Sequence, residues 1–190
     1  MIENIIYTTL QQYNTNWGTG ILLYKAGKLL VAPRKDNNLW GSVGGKVEIG
    51  ETPIQAAVRE CKEESNIQIY NMSFLGTIEH NSPNGKNWLS FVFLSTDFDD
   101  SIVKNQVSEM GQFEWLSIDE LNKRELFPPF KQSLELAIQL NKLNDNSIGY
   151  IVAPDKPSKV EDMYHCAYSY VPVQQEFNPW KELPPWYSWD

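Results

Sequence analysis

The chain has 190 residues, with 16 Lys and Arg against 24 Asp and Glu and a formal net charge of -8. That length buries one substantial core, so one domain plus an extension is expected, and the acidic balance argues against a general grip on nucleic-acid backbone. Cys61 and Cys166 make no disulfide framework, and the opening MIENIIYTTL has neither a basic region nor a long apolar run, so no signal peptide or membrane span is expected and a cytoplasmic compartment follows by default.

In chain order, 20–34 reads as a β-hairpin, GILLY and KLLVAPR joined by a turn at Ala26-Gly27. Gly41, Gly44, Gly45 and Gly50 then form a loop whose backbone can approach a ligand closely. Such a loop, running into a helix start, can present amides to phosphate. The helix itself has its own signals. Thr52 suits the N-cap, Pro53 the first helical position and Gln55 the third, a capping box with a favoured proline. Ile54, Ala57, Val58 and Cys61 recur as an apolar stripe, and Asn66 suits a left-handed C-terminal position.

Further strands are expected at 67–80 and 88–96, joined by the turn-forming 81–87. An amphipathic helix follows at 130–143, with Leu134, Ile138 and Leu140 on or near its apolar side. From 144 the character changes. Residues 148–153 suit one more strand, while 160–171 fits either a helix or an alternation of Tyr164, Cys166, Tyr168 and Tyr170. The tail combines Pro172, Pro179, Pro184 and Pro185 with Trp180, Trp186, Tyr187 and Trp189. Such aromatic content is foreign to free disorder. A strap over the domain is the plain expectation; a lid, a homodimer contact and a partner-docking segment stay open. His165 reads as structural.

The chemistry concentrates in GKVEIGETPIQAAVRECKEESNI. Glu60, Glu63 and Glu64 stand at i, i+3 and i+4, on one helical face turned away from the apolar stripe. Like charges at that spacing repel, and hard oxygen donors so gathered suit a divalent cation. Taken alone, an acidic helix face is more often simply solvated. In register with Gly45, Glu51 and Arg59 it reads differently.

This spacing resembles the Nudix signature. Gly45 is followed by Glu51, Arg59-Glu60, Cys61 at the apolar position, Glu63-Glu64, Asn66 where the family carries Gly, and Ile67. Every charged position matches, and neither departure removes a ligand. The resemblance covers about 4–143. It implies an α/β fold, the Nudix α/β/α sandwich with a mixed sheet, as a domain at 1–143 with a C-terminal extension at 144–190. FEWLSIDEL (113–121) looks like the strand and short helix that follow in the family.

The resemblance also implies hydrolysis of a phosphoanhydride bond with Mg2+ or Mn2+. The metal ligands would be the Gly45 carbonyl, Glu60, Glu63 and Glu64, with Glu63 or Glu64 as base and Arg59 orienting Glu51 or Glu63. Glu109 is either a further ligand or base or a solvated loop carboxylate, and Glu48 is equally open. LWGSVGGKVEIGET resembles MutT-like members that act on oxidised purine nucleoside triphosphates, and SEMGQFEWLSIDEL with LFPPF shares that character. Gly41 departs, because some of those enzymes carry a base-reading Asn there. Trp40 either stacks on a base or is a buried strand-end residue. Arg34, Lys35 and Lys46 are phosphate contacts or solvated cations. Pro83 lies near a proline of ADP-ribose hydrolases, in a turn that favours proline anyway.

The expected function is a metal-dependent pyrophosphohydrolase acting on a small nucleotide, foremost a nucleoside triphosphate. ADP-ribose, dinucleoside polyphosphates, other conjugates and capped RNA compete. The other class is a non-catalytic Nudix-fold sensor or scaffold, which loss of the glutamates would favour; none is lost.

Overall fold

The computed structural model describes residues 15–82, 85–101, 103, 110–140, 142–143, 166–169 and 176–177. Strands β1 (Thr15–Lys25) and β2 (Lys28–Pro33) form the expected hairpin. Ala26 and Gly27 both take positive φ, 51° and 78°, the combination that lets a two-residue loop match strand twist. β1 begins at Thr15 rather than Gly20. Its earlier residues pair antiparallel with β4 (Val43–Lys46) and parallel with β6 (Asn87–Asp99). Neither β4 nor β3 (Trp40–Gly41) is expected from the sequence, because pairs of glycines and a two-residue strand carry no alternation.

Helix α1 (Pro53–Ser65) has the expected capping box, and Asn66 closes it at φ 59°. β5 (Gln68–Asn81) pairs antiparallel with β6. β7 (Glu114–Ser117) joins β2, and the short α2 (Ile118–Leu121) follows with a Ser117–Glu120 capping box. Helix α3 (Pro128–Gln139) starts before the expected Phe130, since prolines at its first positions lack only amides that a first turn leaves unpaired. It ends at Gln139, short of the expected Leu143.

The sheet runs β3-β2-β1-β6-β5-β8, with the β1–β6 pair parallel among antiparallel neighbours. The short β8 (Cys166–Ser169) and β9 (Glu176–Phe177) pair with β5. The expectations at 148–153, for most of 160–171 and for most of the Pro/aromatic tail lie outside the described residues.

Alternation along the strands feeds two cores. Leu22, Tyr24, Leu29 and Val31 face α2 and α3, while Ile21, Leu23, Leu30 and Ala32 face α1. Helices on both faces of a mixed sheet make the expected sandwich. β5 changes parity between its two halves: Ile69 and Met72 serve one core, Leu75 and Ile78 the other. Register shifts against β6 between Ile69 and Gly76 accommodate this. No helix among the described residues is long and apolar enough to cross a membrane.

Candidate active site

The capped start of α1 and the preceding loop set the first end of the site. Glu48 N–H donates to Glu51 Oε1 at 2.7 Å, fixing that carboxylate. Arg59, two turns along the helix, donates Nε and Nη2 to Glu51 at 3.1 and 2.7 Å, a two-pronged contact. Its Nη1 donates to Glu60 Oε1 at 2.8 Å and Glu63 Oε2 at 3.0 Å, and Nη2 also reaches the Lys46 carbonyl at 3.0 Å. Arg59 therefore orients both glutamates expected of it, and Glu60 besides.

The three signature glutamates are not equivalent. Glu63 is 60% exposed, Glu60 15%, and Glu64 is buried, accepting from Gly44 N–H at 3.1 Å. Glu64 thus leaves the open acidic face that spacing alone suggests. A Cβ at Gly45 would run into the Glu60 carboxylate, which would have to move aside.

Burial pushes the Glu60 carboxyl up, against the pull of Arg59, and neighbouring Glu63 and Glu51 add to the rise. For Glu51, burial is outweighed by Arg59 and the Glu48 amide, which hold it below the usual carboxylate range. The Glu51 hydrogen bond leads in strengthening the Arg59 proton further. Cys61, fully buried on the core side, has its thiol pushed up to about 12 by burial and is inert packing.

A cleft of about 950 Å³ joins these glutamates to a second, aromatic end. That is the upper part of the range of roughly 300–1,000 Å³ for small-molecule sites. His80 at the end of β5, Trp88 on β6 and Phe127 before α3 line it. The His80 ring stacks on Trp88 with centroids 6.2 Å apart and meets Phe127 edge-on at 6.5 Å. Arg34 lies over the Phe127 ring at 4.6 Å and donates to Asp36.

Of the sequence candidates, Gly45, Lys46, Arg34, Glu60, Glu63 and Glu64 line this cleft, whereas Lys35 and Trp40 do not. Trp40 packs against the α3-side core, with the Arg124 guanidinium 4.9 Å over its ring. Its backbone exchanges hydrogen bonds with Glu125 and Phe127, so the strand-end reading describes its place. Glu109, Pro83 and His165 lie outside the described residues. Sequence reasoning missed His80, Trp88 and Phe127. Phe127 stood in the noted LFPPF, and the histidine and tryptophan flank the noted turn, but no spacing rule links the three.

Among the described residues no three Asp, Glu, His or Cys side chains already converge as a metal cage. The reason is visible, since Arg59 draws Glu60 and Glu63 while Gly44 holds Glu64. The donor set still suits a hard cation. Glu51, Glu60, Glu63 and Glu64 are four carboxylates on or beside one helix, and one guanidinium, Arg59, lies among them.

Residues 15–136 match the NUDIX domain family. The chain belongs to the Nudix hydrolase family. Its Nudix relatives include an 8-oxo-dGTP diphosphatase of Proteus vulgaris, 34% identical over 94 residues that span 47% of this chain and 79% of that protein. Another is the NAD-capped RNA hydrolase NudC of Vibrio cholerae, 30% identical over 53% of this chain but only 37% of that protein. Among solved structures, the MutT NUDIX hydrolase from Burkholderia pseudomallei superimposes with a TM-score of 0.60 at 26% identity, covering 64% of this chain and 97% of that one. Nudix membership accounts for the conjunction of Gly45, Glu51, Arg59 and the three glutamates.

Proposed function

We propose that this Nudix protein is a metal-dependent pyrophosphohydrolase cleaving a phosphoanhydride bond of a small nucleotide, foremost a nucleoside triphosphate, oxidised purines included. One observation carries the reading: a single cleft holds both the glutamate network and an aromatic wall. Phosphoryl transfer asks the protein mainly for positioning and charge neutralisation, and a nucleotide needs both ends at once.

The Gly45 carbonyl, Glu60, Glu63 and Glu64 would hold Mg2+ or Mn2+. Such an ion, when bound, neutralises phosphate oxygens and lowers the pKa of a coordinated water. Glu63 is largely exposed, while Glu64 is held in place by the Gly44 amide. Either accepts the proton of the attacking water. Arg59 acts through them as a positioning residue, and Arg34 and Lys46 supply positive charge along the cleft. The Proteus vulgaris relative favours the triphosphate reading. The Vibrio cholerae relative favours a nucleotide conjugate as the second.

The test is a substrate panel with Mg2+ or Mn2+, run on wild type, Glu63→Gln and Glu64→Gln. Pyrophosphate release from triphosphates supports the first reading, and two monophosphates from a conjugate support the second. At least one variant should lose on the order of 10²-fold or more in turnover while remaining folded. Near-unchanged rates in both would remove the mechanism, and absence of any turnover in wild type would favour a binding role.

A further inference from the structure

The aromatic end of the cleft contains a polar atom that the fold leaves unsatisfied. His80 is 8% exposed and belongs to the cleft lining. Its Nε2 lies 3.2 Å from Ser90 Oγ, and Ser90 also lines the cleft. Its Nδ1 is buried and has no hydrogen-bond partner among the described residues. Buried polar atoms in folded proteins are nearly always paired, and leaving one unpaired is costly. Trp88 lies parallel to the imidazole and Phe127 meets it edge-on, with ring centroids 6.2 and 6.5 Å away.

Nor does protonation resolve the matter. Burial, with the Arg34 charge adding, lowers the His80 pKa to about 4, so the ring is neutral at physiological pH. A neutral imidazole has one N–H and one lone pair. The Ser90 hydroxyl can donate or accept at Nε2, so Nδ1 is available in either sense. Of the two neighbouring rings, Trp88 is parallel to the imidazole and Phe127 edge-on to it, the latter with the Arg34 guanidinium over its ring. Flat apolar walls with one fixed polar atom suit a heterocycle that has a hydrogen-bonding edge.

We propose that His80 is the specificity-determining residue of the cleft, its Nδ1 forming a hydrogen bond with the edge of a nucleobase that enters beside Phe127. This rests on the reading of the cleft as a nucleotide site. It goes further in naming the group that distinguishes one base from another. Discrimination follows from the unpaired atom. A base with the complementary group satisfies it, whereas a base without one leaves it buried and unpaired, and sites of that kind reject the wrong ligand strongly. Trp40 is outside the lining and does not take this role.

The test has a binding arm and a kinetic arm, both on the full chain. Its two histidines simplify the first. With 15N-labelled imidazoles, and a His165→Gln sample for assignment, dGMP, dAMP, dCMP and dTMP are titrated at pH 7. The His80 Nδ1 resonance should move by several ppm with one nucleotide and much less with another. A resonance unmoved by all four, or moved equally, overturns the proposal.

In the second arm, kcat and KM are measured for the four deoxynucleoside triphosphates with His80→Gln and His80→Phe. The ratio of best to worst kcat/KM should fall about 10-fold or more in His80→Phe, chiefly through KM, and His80→Gln should retain part of it. An equal loss for every base, tracking a lower Tm, would make His80 purely structural and overturn the proposal. The two readings fail separately. A base-selective Nδ1 shift without hydrolysis removes the enzyme and keeps the base reader. Hydrolysis whose base preference survives both substitutions does the reverse.

Discussion

The two ends of the cleft are built on opposite terms. At the glutamate end each of four carboxylates has a local hydrogen-bond donor: Arg59 bonds Glu51, Glu60 and Glu63, and Gly44 N–H donates to Glu64. At the aromatic end, Trp88 and Phe127 flank an imidazole whose buried Nδ1 has no hydrogen-bond partner among the described residues. The first arrangement is a rigid scaffold for chemistry that many substrates share. The second leaves its hydrogen bond to be completed from outside, which is how a site chooses among substrates.

The comparison is broken most directly at Gly45. Gly45→Ala pushes a methyl into the Glu60 carboxylate, and displacing a catalytic group by about 1 Å costs roughly 10²-fold. Steady-state kcat/KM should fall by about 10²–10³-fold, with base preference intact among what activity remains. A fall of only a few-fold would mean that the glutamate end is not rigid.

His80 gives the next largest effect, and it is read in acid. Its folded pKa, about 4, lies below the ordinary 6.5. The unfolded chain therefore binds the proton more readily, so the contribution is complete above pH 6.5 and is lost as pH falls towards 4. Urea unfolding should show wild type losing about 3 kcal/mol more than His80→Phe between pH 7.5 and 4. Arg34, itself bonded to Asp36, is the charge that adds to the burial. Glu51 loses stability in the same direction at lower pH and Glu60 opposes it; both are common to the two proteins and cancel. Parallel pH profiles would refute the buried, neutral ring.

Arg59→Ala removes the partner of three carboxylates. A fully buried pair broken this way costs about 3–5 kcal/mol. Arg59 is 22% exposed, so about 2 kcal/mol is expected, with a Tm lower by roughly 4–8 °C. Arg59→Lys should recover less than half, because an ammonium cannot fork onto Glu51. Full recovery by lysine would show that charge alone matters at this end. The smallest effect is at Trp40. Trp40→Phe should leave the ranking of bases within about 2-fold of wild type, since its ring packs away from the cleft. A reordered ranking would move the base-reading role from His80 to Trp40.

What could be read without a structure follows the same division. Thr52, Pro53, Gln55 and Asn66 mark the ends of α1 because capping is settled within a few residues of chain. Glu60, Glu63 and Glu64 share a face because a helix has a fixed period. Even so, spacing could not tell the exposed Glu63 from the buried Glu64, which depends on where β4 lies across the helix. Trp40 suits base or core equally from its neighbours in sequence, and only the fold shows its backbone paired with Glu125 and Phe127 and its ring packed on the core.

The sequence by itself determined the glutamate helix, its caps and the family's reaction, because those depend on residues within about two turns of one another. The tertiary structure alone brought His80, Trp88, Phe127 and Arg34 together, from β5, β6, the segment before α3 and the end of β2. Whether a nitrogen is left unpaired depends on everything packed around it, and no local pattern in the chain encodes that.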